Sequence, residues 1–288
     1  MENNKCFLCN NKDIEVIHYG TRDNNNLNVL RCKNCGLVFL SSFDHIHGDF
    51  YENSGMFESE RLSIPQWREI TKNDDIRRVR MLKQILQGKD ILDFGCGNGG
   101  FLEYAKEYTN KTFGIEIEKA SRDDLNSMGF TVWETINNCS QKFDVITLFH
   151  VLEHLENPIL YLKEFRYYLN DKKDSQIIIE VPNANEALLS IYNSKPFADY
   201  TYWSPHLFLY NHHNIEILAE KADLKINWIE QVQRYPLANH LFWLAEGKPG
   251  GHKIWSGFNN EKLTGEYERA LKEQNACDTL LFSFSPIC

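Results

Sequence analysis

At 288 residues, 42% apolar and 25% charged, the chain has the composition of a globular protein with room for one large domain, or a large one and a small one. Its 31 Lys and Arg against 40 Asp and Glu leave a formal charge of -9, which argues against a general nucleic-acid binder, since that needs a basic face to displace counterions from phosphates. No run of about 18 apolar residues reads as a membrane span, and Met1 to Cys6 carry no signal-peptide core, so the expected setting is cytoplasmic.

Along the chain, the first chemistry is Cys6-x-x-Cys9 and Cys32-x-x-Cys35, with 22 residues between the pairs. Each C-x-x-C turn can aim two thiolates at one point, and two such turns complete the tetrahedron of a structural Zn2+. Residues 1–45 are therefore expected to form a zinc-binding, zinc-ribbon-like module in which the metal substitutes for a core too small to hold alone, with Asn24-Asn25-Asn26 at a hairpin tip. Cys96, Cys139, Cys277 and Cys288 lack such spacing and read as incidental thiols. Residues 46–88 form a connecting segment through His47 to Tyr51, then a helix from about 66 to 87 that presents Ile70, Ile76, Val79, Leu82 and Leu86. Arg77, Arg78 and Arg80 on it read as a solvated face, with contact to a substrate anion as the alternative.

The remainder, 89–288, alternates strands and helices: strand 91–93, helix 100–108, strand 112–116, helix 119–128, strands 130–133 and 143–149, helix 158–169, and strand 176–181 stopped by Pro182. This is a doubly wound, Rossmann-like α/β pattern, whose ligands bind at the carboxyl ends of the strands. Asp93, Glu116, Glu134, Phe149, His150 and Asn183 are thus expected around one crevice. Between the first strand and its helix lies Asp93-Phe94-Gly95-Cys96-Gly97-Asn98-Gly99, a turn that lets backbone approach a ligand and feeds a helix N-terminus. Glu116 ends the second strand 23 residues after Asp93, the reach of one βαβ unit to a ribose diol.

Gly95, Gly97 and Gly100 also satisfy the G-x-G-x-x-G of dinucleotide enzymes, but Asp93 would repel a pyrophosphate and suits a cationic ligand. With Asp93, Gly95, Gly97 and Gly99 as acid-x-Gly-x-Gly-x-Gly, the segment resembles the first motif of class I S-adenosylmethionine (SAM)-dependent methyltransferases. Phe143-Asp144-x-Ile146 followed by Leu152-Glu153-His154 and Pro158 resembles the fourth-strand motif of their small-molecule branch. The resemblance implies an antiparallel final strand pair, at 225–235 and 278–284, and a cofactor site made of Asp93, Gly95, Cys96, Gly97, Gly99, Glu116, Ile117, Glu134, Thr135, Phe149 and His150. The intervening 236–276, with His240 and His252, is expected to cap the substrate.

Methyl transfer from a sulfonium is an in-line displacement, so alignment dominates, and an oxygen acceptor must also lose a proton. Histidine suits that base role. His206 leads, because this branch commonly carries a His followed by aromatics after the fifth strand; His150 and His154 are the other candidates. The zinc module joined to this domain resembles bacterial nucleotide-sugar C-methyltransferases, which the Asn- and Lys-rich usage of an AT-rich bacterial genome fits. Those enzymes carry a Glu-His pair where this chain has Pro205-His206, so O-methylation of a sugar, nucleotide sugar or other surface-polysaccharide precursor is the favoured expectation. C-methylation of a nucleotide-linked keto sugar comes next, and an RNA or protein methyltransferase reading through the zinc ribbon is the third. The aromatic residues of 200–210 and 228–255 fit carbohydrate stacking or core equally.

Overall fold

The computed structural model describes residues 5–46, 50–51 and 61–287, so most of the expected connecting stretch, Met1 to Asn4 and Cys288 lie outside the described residues. Its strands are β1 (Ile14–His18), β2 (Val29–Cys32), β3 (Val38–Leu40), β4 (Asp90–Phe94), β5 (Lys111–Ile115), β6 (Thr131–Trp133), β7 (Val145–Phe149), β8 (Gln176–Pro182), β9 (Phe208–Leu209), β10 (Leu224–Val232) and β11 (Thr279–Pro286). The helices are α1 (Ile64–Leu86), α2 (Gly100–Ala105), α3 (Lys119–Ser127), α4 (Pro158–Tyr168), α5 (Ala187–Ser190), α6 (Lys195–Thr201), α7 (His212–Lys221), α8 (Leu237–Glu246), α9 (Gly251–Ile254) and α10 (Glu261–Glu273).

Seven strands make the main sheet, in the order β10-β11-β8-β7-β4-β5-β6. The five from β4 to β8 run parallel, while β11 lies antiparallel between β8 and β10. Parallel strands covered on both faces must be apolar throughout, and the all-buried Val145–Phe149 meets that demand. Strand order reverses between β4 and β7, and the carboxyl ends on either side of that point open a crevice. Among the described residues, no helix is long and apolar enough to cross a membrane.

The N-terminal residues do not stand alone as a metal-held knob. β1, β2 and β3 form an antiparallel sheet whose fourth strand is β9, with Val38 opposite Leu209 and Phe39 opposite Phe208. The Phe208 ring lies 5.2 Å from both Phe7 and Phe43, so one apolar core spans both parts. Asn211 and Asn214, at the start of α7, both donate side-chain N–H groups to the Cys35 carbonyl (3.3 and 2.8 Å). A shared sheet and core supply much of the burial that the sequence assigned to the metal.

Helix α1 corrects a second expectation. Ile70 is 70% exposed and Ile76 42%, whereas Asp75, Arg78, Val79, Leu82 and Leu86 are buried. Apart from Ile64 at its start, the buried face carries charges, Asp75 and Arg78, before it becomes apolar toward the helix C-terminus. Its charged half packs beside the crevice.

Candidate active site

Past Phe94 the chain turns through Gly95, Gly97 and Gly99 at φ of 75°, 53° and 65°. These are left-handed values that glycine adopts without penalty, and a Cβ on Gly95 would also come within 2.5 Å of Val151. Helix α1 clasps this turn: Arg68 Nε donates to the Asn98 carbonyl (2.8 Å), and Asn98 Nδ2 donates to Thr71 Oγ1 (2.9 Å). Asp93 is 3% exposed and accepts a bond from Thr147 Oγ1 (2.7 Å). Burial pushes its carboxyl up to about 7 in spite of that bond. Glu116 accepts the backbone N–H groups of Gly97 and Glu118, both at 2.8 Å, and burial raises it too. Two acids and a strand of backbone N–H groups thus converge where β4 and β5 end.

The crevice has a volume of about 950 Å³, at the upper end of what one small-molecule site needs. It joins Asp93, Gly95, Cys96, Gly97, Glu116 and Ile117 to Glu134, Thr135, Phe149 and His150. Gly99 does not line it and serves as the N-cap of α2. Asn183 is turned away: it is 3% exposed, and its side chain donates to the Cys277 and Asn275 carbonyls (2.8 and 3.2 Å). Tyr51, Trp67 and Tyr161 supply aromatic wall.

The three histidines separate. His150 lines the crevice with φ 56°, its Nδ1 on Glu153 Oε1 (3.2 Å) and its Nε2 near Glu180 Oε1 (3.3 Å). Burial pulls its pKa down, but the two carboxylates outweigh it and the net shift is upward. His154 also lines the crevice. Its Nδ1 meets the Pro205 carbonyl at 2.9 Å, and because a carbonyl only accepts, that nitrogen carries the proton and Nε2 carries the lone pair. Burial lowers its pKa, so the ring is neutral near pH 7. His206 does not line the crevice; it packs behind His154 with ring centroids 4.9 Å apart and borders a small separate void. Burial, then the neighbouring His154, drop its pKa to about 3, too weak a base for neutral pH.

Arginines read as solvated turn out to be internal. Arg77 and Arg78 both engage the fully buried Glu180, Arg78 through Nε and Nη2 on Oε1 at 2.9 and 2.7 Å. Arg234 pairs with Asp74 and reaches His150 Nε2 at 3.2 Å. Arg80 alone of the helix trio stays exposed. The signal was present in Ile177-Ile178-Ile179-Glu180-Val181, where a carboxylate inside an apolar strand requires a buried cation.

No described residue of 236–276 lines the crevice, so α8, α9 and α10 do not roof it. His240 is buried on Tyr267 (Nδ1 to the hydroxyl, 2.7 Å) and His252 lies beside Asn239 (3.3 Å). Tyr200, Tyr202 and Trp203 are likewise absent from its walls; Tyr202 is buried, and Tyr200 packs on Trp243.

At the other end of the molecule Cys6, Cys9, Cys32 and Cys35 place their sulfurs within 4.8 Å of one another, with Cys6 to Cys35 at 3.5 Å and Cys9 to Cys32 at 3.4 Å. A disulfide needs about 2.05 Å, whereas sulfurs around a zinc with bonds of about 2.3 Å sit roughly 3.8 Å apart. Both turns close alike: Asn10 N–H donates to the Cys6 carbonyl and Gly36 N–H to the Cys32 carbonyl (3.0 and 2.8 Å), with Asn10 and Gly36 left-handed.

Comparison with known proteins agrees with this architecture. A family model described as a methyltransferase domain matches residues 66–227. N-methyltransferase 4 of Papaver somniferum is 26% identical over 139 residues, which are 43% of this chain and 38% of that protein, so the match spans well under half of the relative. Among solved structures, magnesium protoporphyrin IX methyltransferase from Synechocystis PCC 6803, with bound S-adenosylhomocysteine, superposes with a TM-score of 0.51 at 10% identity, covering 83% of this chain and 97% of that one. A methyltransferase-fold protein from Bacillus halodurans C-125 gives 0.48 at 14%, covering 74% and 100%. At 10% identity the Synechocystis structure speaks for the fold alone, and the family match shows that the chain belongs to the methyltransferase-domain family, with residues 66–227 as a SAM-dependent methyltransferase domain.

Proposed function

We propose that the chain methylates an oxygen of a small hydroxylated, carbohydrate-like acceptor, with His154 as the base. The observation that carries this reading is the His154 ring on the crevice wall, neutral and fixed by Pro205 so that Nε2 is its lone-pair atom. Asp93 and Glu116 are assigned to the cofactor's ammonium and ribose hydroxyls, and the glycine turn to its close approach. A cofactor held there would supply an electrophilic methyl group with a thioether as leaving group, and His154 Nε2 would take the proton that the acceptor hydroxyl loses on methylation.

Charge narrows the acceptor. Arg78 and Arg234, the arginines on the crevice wall, are held by Glu180 and Asp74, while Glu116, Glu134, Glu156 and Glu164 also line it. A diphosphate would enter an acidic cleft with no uncommitted arginine among the described lining residues, which favours an unphosphorylated sugar over a nucleotide sugar and disfavours RNA. We further propose that the four cysteines hold a structural Zn2+, supported by their sulfur spacing and paired turns. The test is a screen with isotopically labelled SAM over free glycosides, nucleotide sugars and RNA, with His154→Ala alongside. Label on a glycoside oxygen, lost in the variant, is the expected result; label on nucleotide sugars or RNA alone would sink the reading.

A further inference from the structure

Just behind the crevice wall, Glu153, His154 and His206 bring one ligand atom each within 4.8 Å of the others. Two polar atoms here are orphans: Glu153 Oε2 and His206 Nδ1 are buried and make no hydrogen bond among the described residues. Glu153 is 0% exposed, and an unpaired carboxylate oxygen at that depth is costly unless something occupies the space beside it. The flanking bonds match those of ligating side chains. His154 gives its other ring N–H to the Pro205 carbonyl (2.9 Å), and the second Glu153 oxygen is held by His150 Nδ1 (3.2 Å). The crevice provides the way in, because His154 forms part of its wall.

We propose that Glu153, His154 and His206 form a second metal site, distinct from the four cysteines, and that Zn2+ bound there inhibits the enzyme by occupying the His154 Nε2 lone pair. Two imidazoles and one carboxylate suit zinc or another late divalent transition metal rather than Mg2+ or Ca2+, which take oxygen ligands. Ligand atoms on a zinc with bonds of about 2.0–2.2 Å sit roughly 3.4 Å apart, so three atoms that lie within 4.8 Å of one another need draw together by less than about 1 Å each, within the reach of small side-chain rotations. Binding stands independently of the catalytic reading; the inhibition rests on His154 being the base.

The test loads the full chain with Co2+ and measures elemental content and the visible spectrum. Two ions per chain are expected, one with sulfur-to-metal charge transfer and one with ligand-field bands alone. His206→Ala and Glu153→Gln should each keep the thiolate-bound ion and weaken the second by about tenfold or more, with S-adenosylhomocysteine titration confirming that each variant is folded. A wild-type chain that takes no ion outside the thiolates, or variants that bind the second ion as well as wild type, would overturn the site. In turnover, added Zn2+ should inhibit the wild type and spare His206→Ala, whose activity without zinc is retained. Second-site binding without inhibition would overturn the inhibitory role and the His154 assignment together, while leaving the site itself intact.

Discussion

Arg78 sets two of its nitrogens on a single oxygen of the fully buried Glu180, at 2.9 and 2.7 Å. Removing either partner leaves the other charged and buried. Glu180→Gln is expected to cost about 3–5 kcal/mol in chemical denaturation. The pair should also shape acid stability. Burial opposes ionisation of Glu180, but Arg78, His150 and Arg77 hold its carboxyl well below the ordinary range. A depressed carboxyl stabilises the fold above its unfolded value of about 4.3, and that contribution disappears as pH falls through the native value. Wild type and Glu180→Gln should therefore converge in stability in strong acid; a constant gap down to pH 2 would contradict the linkage.

Glu116→Ala should weaken S-adenosylhomocysteine by about ten- to a hundredfold, since hydrogen bonds to a charged group contribute about 1.5–3 kcal/mol. Calorimetric titration measures this directly, and an unchanged affinity would remove Glu116 from the ribose role.

Asp93 connects cofactor binding to pH. With its carboxyl at about 7 in the free protein, an arriving ammonium favours the ionised form. Affinity should rise from pH 6 to 8 with proton release, visible as a dependence of the binding heat on buffer ionisation. In Asp93→Asn the affinity falls, and the release attributable to this carboxyl goes with it; release equal to wild type would argue for another group.

The parallel sheet was readable because each element announces itself locally: apolar runs such as Val145 to Phe149, glycines at 95, 97 and 99, and Pro182 as a stop. The buried arginines were not, because periodicity treats charge as solvent-facing and Glu180 lies 102 residues from Arg78. β9 is two residues long and pairs with a strand 170 positions earlier, so nothing in its own sequence marks it. The direction of 236–276 was equally hidden, because amphipathic helices record that they pack, but not against what.

His154→Ala should lower turnover by about 10²–10⁴-fold, while His206→Ala retains it in the absence of zinc. With the cofactor saturating, the acid limb of kcat/KM for the acceptor should fall below pH 6.5, because burial lowers the His154 pKa and the ring must be neutral to accept a proton. A limb centred above 7 would point to another base.

Chelating the Zn2+ proposed for the four thiolates should loosen more than the first 45 residues. Because Cys35 is tied to Asn211 and Asn214, hydrogen exchange is expected to accelerate across 202–214 while β4 and β5 stay protected. Uniform exchange before and after metal removal would detach the metal from that segment.

The strand pairing of Phe39 with Phe208 bears on how the molecule can be taken apart. A chain trimmed to begin at Arg61 would present an unpaired strand edge and the bare aromatic face of Phe208 to solvent, the combination that recruits neighbouring chains into aggregates. The transferase half is therefore not a portable catalytic cassette. The two halves should melt as a single calorimetric transition, and any rearrangement that donates this catalytic domain to another protein must carry the cysteine-bearing segment with it.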